Sequence, residues 1–135
     1  MRRVLMAAMI WAPFVANAAP SCDGMPGEAQ VTVQLFYGRA MKDGSQIDAA
    51  QWADYLGREV TPRFPAGLTV LEASGQWQQR ATGKVIREKA TVVEIVTSAS
   101  AETWAKVAAV RAAYKKRFAQ ESVGVVSHWS CAAWD

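Results

Sequence analysis

The sequence predicts an α+β fold, a ferredoxin-like split βαββαβ sandwich in which a four-stranded antiparallel sheet carries two helices on one face. One pattern occurs twice: an apolar strand, a helix led by tryptophan, an arginine–phenylalanine pair, a turn and a second apolar strand. The helices are led by Trp52 and Trp104, and the pairs are Arg63-Phe64 and Arg117-Phe118. Two such βαβ units form a split sandwich.

The first strand and helix have clear signals. Residues 31–37 begin with alternating apolar and polar side chains, which predicts a half-buried strand. Asp48 and Gln51 have the spacing of a capping box, so we expect a helix from there. Pro62 disfavours helical backbone at the residue before it and predicts a helix end near Thr61.

A hairpin and a second helix follow. Residues 68–79 and 85–96 read as two strands joined by a turn at Thr82-Gly83, with irregular pairing expected at Gly75. The second helix begins near Ser98 or Ser100. The apolar run 122–126 predicts the last strand.

The first eighteen residues are predicted to be a secretory signal peptide. Arg2-Arg3 precedes an apolar run, and Ala16-Asn17-Ala18 fits the small-x-small cleavage rule. Residues 19–30 then form a leader loop, and residues 31–135 form a single α+β domain. This predicts a periplasmic or secreted protein with no stable membrane span once the signal is removed.

The charge of the mature chain excludes one class of partner. Two of the fifteen basic residues and none of the twelve acidic residues lie in the predicted signal, which leaves a net charge of +1. No basic stripe with interleaved aromatic residues remains, so we expect no nucleic acid partner.

Cys22 and Cys131 are the only cysteines, and both lie in the mature chain. In the predicted topology the last strand lies antiparallel beside the first, which brings the two residues together. Export to an oxidising compartment favours a disulfide between them. Two free thiols, or a lipid attached to Cys22, are the alternatives.

Five segments of the chain resemble a known family. They are residues 35–39, the run 61–70 that begins Thr-Pro-Arg-Phe-Pro, Gly75-Gln76-Trp77, Arg87-Glu88, and the run 114–123 that begins Tyr-Lys-Lys-Arg-Phe. Together they are similar to a bacterial family of small secreted proteins catalogued as a domain of unknown function. The resemblance implies export and a small α+β domain, and it implies no reaction.

Arg63 and Arg117 occupy matching places in the two halves, each at a helix end. We interpret both as structural, pinning a helix end to the next turn, with Glu59 and Glu121 as local partners. Binding of a ligand carboxylate is the alternative.

The candidate ligand-binding residues lie near the strands. They are Tyr37, Arg39, Gln76, Trp77 and Arg87. Cross-strand pairing could place Gln76 or Trp77 near Arg87 or Glu88 and line a small pocket, or the same side chains could cap the hairpin.

No catalytic, metal or cofactor motif is present, and His128 is the only histidine. The sequence therefore favours a non-catalytic domain that binds an unknown small molecule or protein. One alternative is a cofactor-independent enzyme of the dimeric α+β barrel type, with Tyr37, His128 and Arg39 as its polar groups. The other is a structural protein of the cell envelope. The predicted open sheet face is aromatic, which allows a homodimer through that face.

Overall fold

The computed structural model describes residues 18–134, so the predicted signal peptide lies, apart from its last residue, outside the described residues. The chain forms four strands, two α-helices and one π-helical segment. They are β1 (Glu28–Gly38), α1 (Ala49–Tyr55), the π-helix (Leu56–Val60), β2 (Thr69–Gln78), β3 (Val85–Thr97), α2 (Ala101–Phe118) and β4 (Gly124–Ala132).

The strands form one antiparallel sheet in the order β2-β3-β1-β4. This confirms the predicted split sandwich, because each half contributes one central and one edge strand. The helices cover a single face, and the other face is open.

The capping box predicted at the first helix is present. The side chain of Asp48 accepts a hydrogen bond from the backbone of Gln51, and the side chain of Gln51 accepts one from the backbone of Asp48. The chain continues from α1 into the π-helix, where the amide of Thr61 donates to Leu56 over 2.9 Å. The helical segment therefore ends at Val60, close to the predicted boundary.

Two boundaries and one irregularity differ from the predictions. β1 starts at Glu28 because it pairs with β4 as far as Ala132, so the leader loop is shorter than predicted. For the same reason, β4 continues to Ala132, beyond its predicted end at Val126. The expected irregularity at Gly75 is wrong, because Gly75 pairs with Glu88 in an unbroken register.

The predicted disulfide is confirmed. Cys22 and Cys131 are bonded, with their Cα atoms 5.8 Å apart. Cys131 lies within β4 opposite Ala29, so the bond fastens the segment before β1 to the end of the edge strand.

The core contains three tyrosines whose side chains are fully buried, Tyr37, Tyr55 and Tyr114. The rings of Tyr37 and Tyr114 have centroids 4.7 Å apart, and those of Tyr55 and Tyr114 are 5.0 Å apart. The hydroxyl of Tyr55 lies 2.9 Å from the carbonyl oxygen of Val110 and 3.1 Å from the hydroxyl of Tyr37. Each ring thus brings its polar atom to a partner inside the core.

Replacing Cys22 and Cys131 together by serine should lower the free energy of unfolding by roughly 4–5 kcal/mol in the chain-entropy account. The reason is that the bond closes a loop across 109 positions and restricts the unfolded chain. Urea unfolding of both proteins measures the difference. Wild-type protein with its disulfide reduced is the control and should match the double variant; an unchanged midpoint would contradict the expectation.

High pH should destabilise the protein through the tyrosines. Burial raises the pKa of Tyr37 to about 12 and also raises the pKa values of Tyr55 and Tyr114. Above pH about 10 the unfolded chain loses phenolic protons that the folded chain keeps, so the free energy of unfolding falls as pH rises.

Tyrosinate absorbance tests this directly, since the chain has only three tyrosines. We expect no phenolate signal near pH 10 while the circular dichroism of the folded state persists. Reversible ionisation of the folded protein near pH 10 would show that the hydroxyls are not buried.

Candidate functional site

A cavity of about 660 Å³ lies on the open face of the sheet, and we call it the open-face cavity. It lies where the end of β1 and the start of β4 meet the hairpin of β2 and β3. Two loops border it, the one after β1 and the one between α2 and β4. Its lining residues are Phe36, Tyr37, Gly38, Ala40, Met41, Lys42, Gly75, Trp77, Glu88, Ala90, Ala119, Gln120, Glu121, Ser122 and Gly124.

Glycines on three strands form the floor of the open-face cavity. Gly38 lies on β1, Gly75 on β2 and Gly124 on β4. A Cβ atom on Gly124 would lie 3.2 Å from the Cβ atom of Phe36, which is tighter than ordinary packing. Because these three glycines have no side chains, the floor of the cavity is recessed.

Aromatic side chains and a turn form the walls. Trp77 is 50% exposed and Phe36 is 41% exposed, so both present ring surface to solvent. Helix α2 ends at Ala119 in the left-handed conformation, with φ of 51°. This turn directs Gln120 to the mouth of the cavity, where its amide nitrogen donates to the carbonyl oxygen of Ala40 over 2.9 Å.

Tyr114 connects the core to the floor. Its hydroxyl donates to the carbonyl oxygen of Gly38 over 2.7 Å, from α2 to the end of β1. Because Gln120 on the following loop also holds Ala40, two hydrogen bonds fix the same strand end. The cavity is therefore formed before any ligand enters.

The polar groups of the open-face cavity are few. The carboxylate of Glu88 lies over the floor, with Oε1 3.7 Å from where a Cβ atom of Gly38 would be and 3.9 Å from the equivalent point on Gly75. At the rim, Lys42 and Glu121 form an ion pair of 3.3 Å between exposed side chains. Such an arrangement can hold a ligand by one charge and one aromatic surface.

Of the five residues that the sequence proposed for ligand binding, only Trp77 brings its side chain to the cavity. Gln76 and Arg87 are paired with each other and project from the opposite face of the hairpin, because side chains alternate along a strand. Gln76 and Trp77 are neighbours in sequence and cannot share a face.

Tyr37 and Arg39 are likewise turned away from the cavity. The side chain of Tyr37 is fully buried in the core, and only its backbone reaches the lining. The guanidinium of Arg39 donates to the carbonyl oxygens of Ile47 and Asp48 and to the hydroxyl of Thr91. Its Cζ atom lies 5.1 Å from the ring centroid of Trp52. Both side chains therefore make contacts within the fold and lie away from the open-face cavity.

Arg63 and Arg117 make the kinds of contact that a structural role requires. Arg63 donates to the carbonyl oxygen of Glu59 over 2.6 Å and to its carboxylate over 3.0 Å. Arg117 donates to Asp54 over 2.6 Å, which joins α2 to α1. The expectation that Glu121 is the partner of Arg117 is wrong.

His128 lies on β4 opposite Thr32, away from the lining of the cavity. Within residues 18–134, no group of three or more His, Cys, Asp or Glu side chains is arranged to hold a metal ion. Over the same residues, no helix is both long enough and apolar enough to cross a membrane.

The open face carries further apolar side chains outside the cavity. Leu71 is 47% exposed and Val126 is 50% exposed. This is the surface through which the sequence predicts a homodimer, and that partner stays a prediction.

Sequence reasoning named Glu88 as a possible cross-strand neighbour of Gln76 or Trp77, and it missed Gln120. Glu88 has the same strand parity as Gly75 and Trp77, which places it on their face of the hairpin. Nothing in the sequence signals the turn at Ala119, because a left-handed conformation is uncommon for alanine.

A family model described as "Protein of unknown function (DUF3574)" matches residues 32–134, which confirms the resemblance to a family of unknown function. Among curated proteins, none matches the chain. A solved structure of a phage SAM lyase in complex with S-methyl-5'-thioadenosine is 17% identical, with a TM-score of 0.58, and covers 78% of this chain and 92% of its own. The apo state of a phage SAM lyase is 20% identical, with a TM-score of 0.52, and covers 82% and 95%. At these identities the likeness is one of fold.

Replacing Arg39 by methionine should lower the free energy of unfolding by about 1–3 kcal/mol, because it removes both guanidinium donors from the carbonyl oxygen of Ile47 in a buried place. Arg87→Met is the matched control and should change it by less than about 0.5 kcal/mol, since Arg87 is exposed. Urea unfolding of the two variants measures this. An equal decrease in the free energy of unfolding of both variants would show that Arg39 has no special structural role.

Proposed function

Because this chain belongs to the DUF3574 family, whose description states no activity, we propose its function from its site. The protein is an exported domain that binds a small, flat molecule in the open-face cavity, without catalysing a reaction on it. The observation that carries the proposal is the floor of three glycines beside the exposed ring of Trp77.

The size and chemistry of the cavity support a small ligand. Its volume of about 660 Å³ falls within the range of roughly 300–1,000 Å³ that is usual for small-molecule sites. A flat ring can stack on Trp77, which presents its indole on the same face as Gly75. A long chain or a large folded partner would not fit, because the floor is recessed only by the depth of the missing side chains.

The structural likeness gives a second line of support. A phage SAM lyase with this fold is seen with S-methyl-5'-thioadenosine, a compound with a flat heteroaromatic ring. The likeness does not carry that ligand over to this chain. It does support the proposal that a sheet and helices of this arrangement can hold a molecule of nucleoside size.

Binding is favoured over the enzyme alternative by where the three polar groups of that alternative lie. Tyr37 and Arg39 point to the helix face, whereas His128 lies on the open face of β4. The sheet separates them, so they cannot act on one substrate. Export is supported by the disulfide, since such bonds persist in oxidising compartments.

Gly75→Val should abolish ligand binding while keeping the fold. A Cβ atom at Gly75 would meet Glu88 Cγ at 3.6 Å, an ordinary contact, so the backbone accepts a side chain there. Valine suits a strand, and its methyl groups would fill the floor. A thermal-shift screen of the wild-type protein against a metabolite library first finds a ligand, since a compound that binds the native state raises the melting temperature. The variant should then show no shift with it.

Ser74→Val is the matched control, because Ser74 is on the same strand but faces away from the cavity. It should retain the shift. A second variant, Trp77→Ala, should weaken binding by roughly tenfold, or about 1.4 kcal/mol, through loss of ring stacking. A ligand that binds Gly75→Val as well as wild type would place the binding site elsewhere and refute the proposal.

A further inference from the structure

Glu88 is an acidic side chain in the lining of the open-face cavity. It is half-buried on β3, and the lining around it includes Phe36, Trp77 and Ala90. None of the six ion pairs found among residues 18–134 involves it. Neighbouring Arg87 and Lys89 have the opposite strand parity and belong to the other face. The cavity thus holds a negative charge that no side chain of the described chain neutralises.

A second acceptor lies beside this carboxylate. From the point where a Cβ atom of Gly38 would be, Glu88 Oε1 is 3.7 Å away and Gln120 Oε1 is 3.9 Å away. The amide nitrogen of Gln120 is engaged with the carbonyl oxygen of Ala40, which leaves its oxygen directed to the cavity. Two oxygen acceptors therefore border the same small space above Gly38.

Lys42, the basic residue in the cavity lining, is paired with another acid. Lys42 lies 3.3 Å from Glu121, and both side chains are largely exposed. Because Lys42 is paired there, the charge of Glu88 is left for a ligand.

We infer that the ligand of the open-face cavity carries a positively charged nitrogen group, such as an amidinium, guanidinium or ammonium, which binds between Glu88 and Gln120. This inference rests on the proposed function and names the chemical class of its ligand. An amidinium or guanidinium can donate to both carboxylate oxygens of Glu88 while a further N–H reaches Gln120. A flat group attached to it then stacks on Trp77.

The test uses three flat probes that differ in charge: benzamidine, benzamide and benzoate. Binding is followed by NMR titration of the full mature protein, with the indole N–H of Trp77 assigned by its loss in Trp77→Phe. Benzamidine has few atoms, so we expect it to bind with a dissociation constant of roughly 0.1–1 mM. Benzamide should bind at least about tenfold more weakly, because it lacks the charge, and benzoate more weakly still.

Substitution of Glu88 tests the partner group. Glu88→Gln should weaken benzamidine binding by about tenfold or more and should leave benzamide within about twofold. Glu94→Gln is the matched control. Glu94 is on the same strand and the same face, makes a hydrogen bond with Gln34, and lies outside the cavity lining. The Glu94→Gln substitution removes the same charge from β3 and should leave the affinity for benzamidine within about twofold. This separates a direct contact with Glu88 from a general effect of the net charge.

The outcomes separate this inference from the proposed function. Binding of benzamide or benzoate as tight as that of benzamidine would overturn the charged-ligand inference. If Gly75→Val still abolished that binding, the cavity would remain a ligand site of another class. Absence of saturable binding of benzamidine up to about 10 mM would also overturn the inference, since a formed acceptor pair must hold an amidinium at that concentration. Benzamidine binding that Gly75→Val leaves intact would refute the open-face cavity as the site.

Discussion

The register between β1 and β3, the two central strands, is the constraint on which the rest of the structure depends. Leu35 lies opposite Val93 and Tyr37 opposite Thr91, and all four side chains point to the helices and are buried. The residue between the two on each strand points to the open face of the sheet. A slip of one position would exchange the two faces of the sheet and move the core into solvent. The same register brings Glu88 and Ala90 of β3 to the side on which Phe36 and Gly38 lie.

The site needs a second feature that the sheet does not provide. Glycines on three strands make a shallow floor, but a floor without walls is a flat surface. The turn at Ala119 supplies the wall opposite the aromatic side chains, since it follows α2 in the left-handed conformation and brings Gln120 to Ala40. A left-handed conformation costs alanine about 1 kcal/mol or more. The core offsets this cost through the helix that leads into the turn, which buries Tyr114 and Phe118.

The fold was predictable from the sequence because its signals are local or depend on symmetry. Capping at Asp48, the hairpin and the repeated pattern each indicate an element, and two βαβ units have few ways to pair. The disulfide followed from the topology. The candidate site was less predictable. Arg39 was a candidate ligand contact, and only the tertiary structure shows the carbonyl oxygens of Ile47 and Asp48 around it.

Gln76 and Arg87 lie outside the cavity for a different reason. Cross-strand pairing does place them opposite each other, but alternation along the strands puts both on the face opposite to Trp77. The residues that do converge, Glu88 and Gln120, come from a strand and a loop 32 positions apart. Glu88 and Gln120 come together because the backbone of Ala119 is left-handed. Neither composition nor periodicity predicts that conformation.

The connection between the tyrosine core and the cavity bears on how a ligand would bind. Tyr114 contacts the rings of Tyr37 and Tyr55 and also holds the carbonyl oxygen of Gly38. The floor is thus attached to the most buried part of the molecule, so little chain must become ordered on binding. Binding to a formed site loses less conformational entropy than binding that must fold a loop. Selection among ligands would then depend on the groups that face the cavity, and above all on whether a ligand can pair with the carboxylate of Glu88, because charge-assisted hydrogen bonds are stronger than neutral ones.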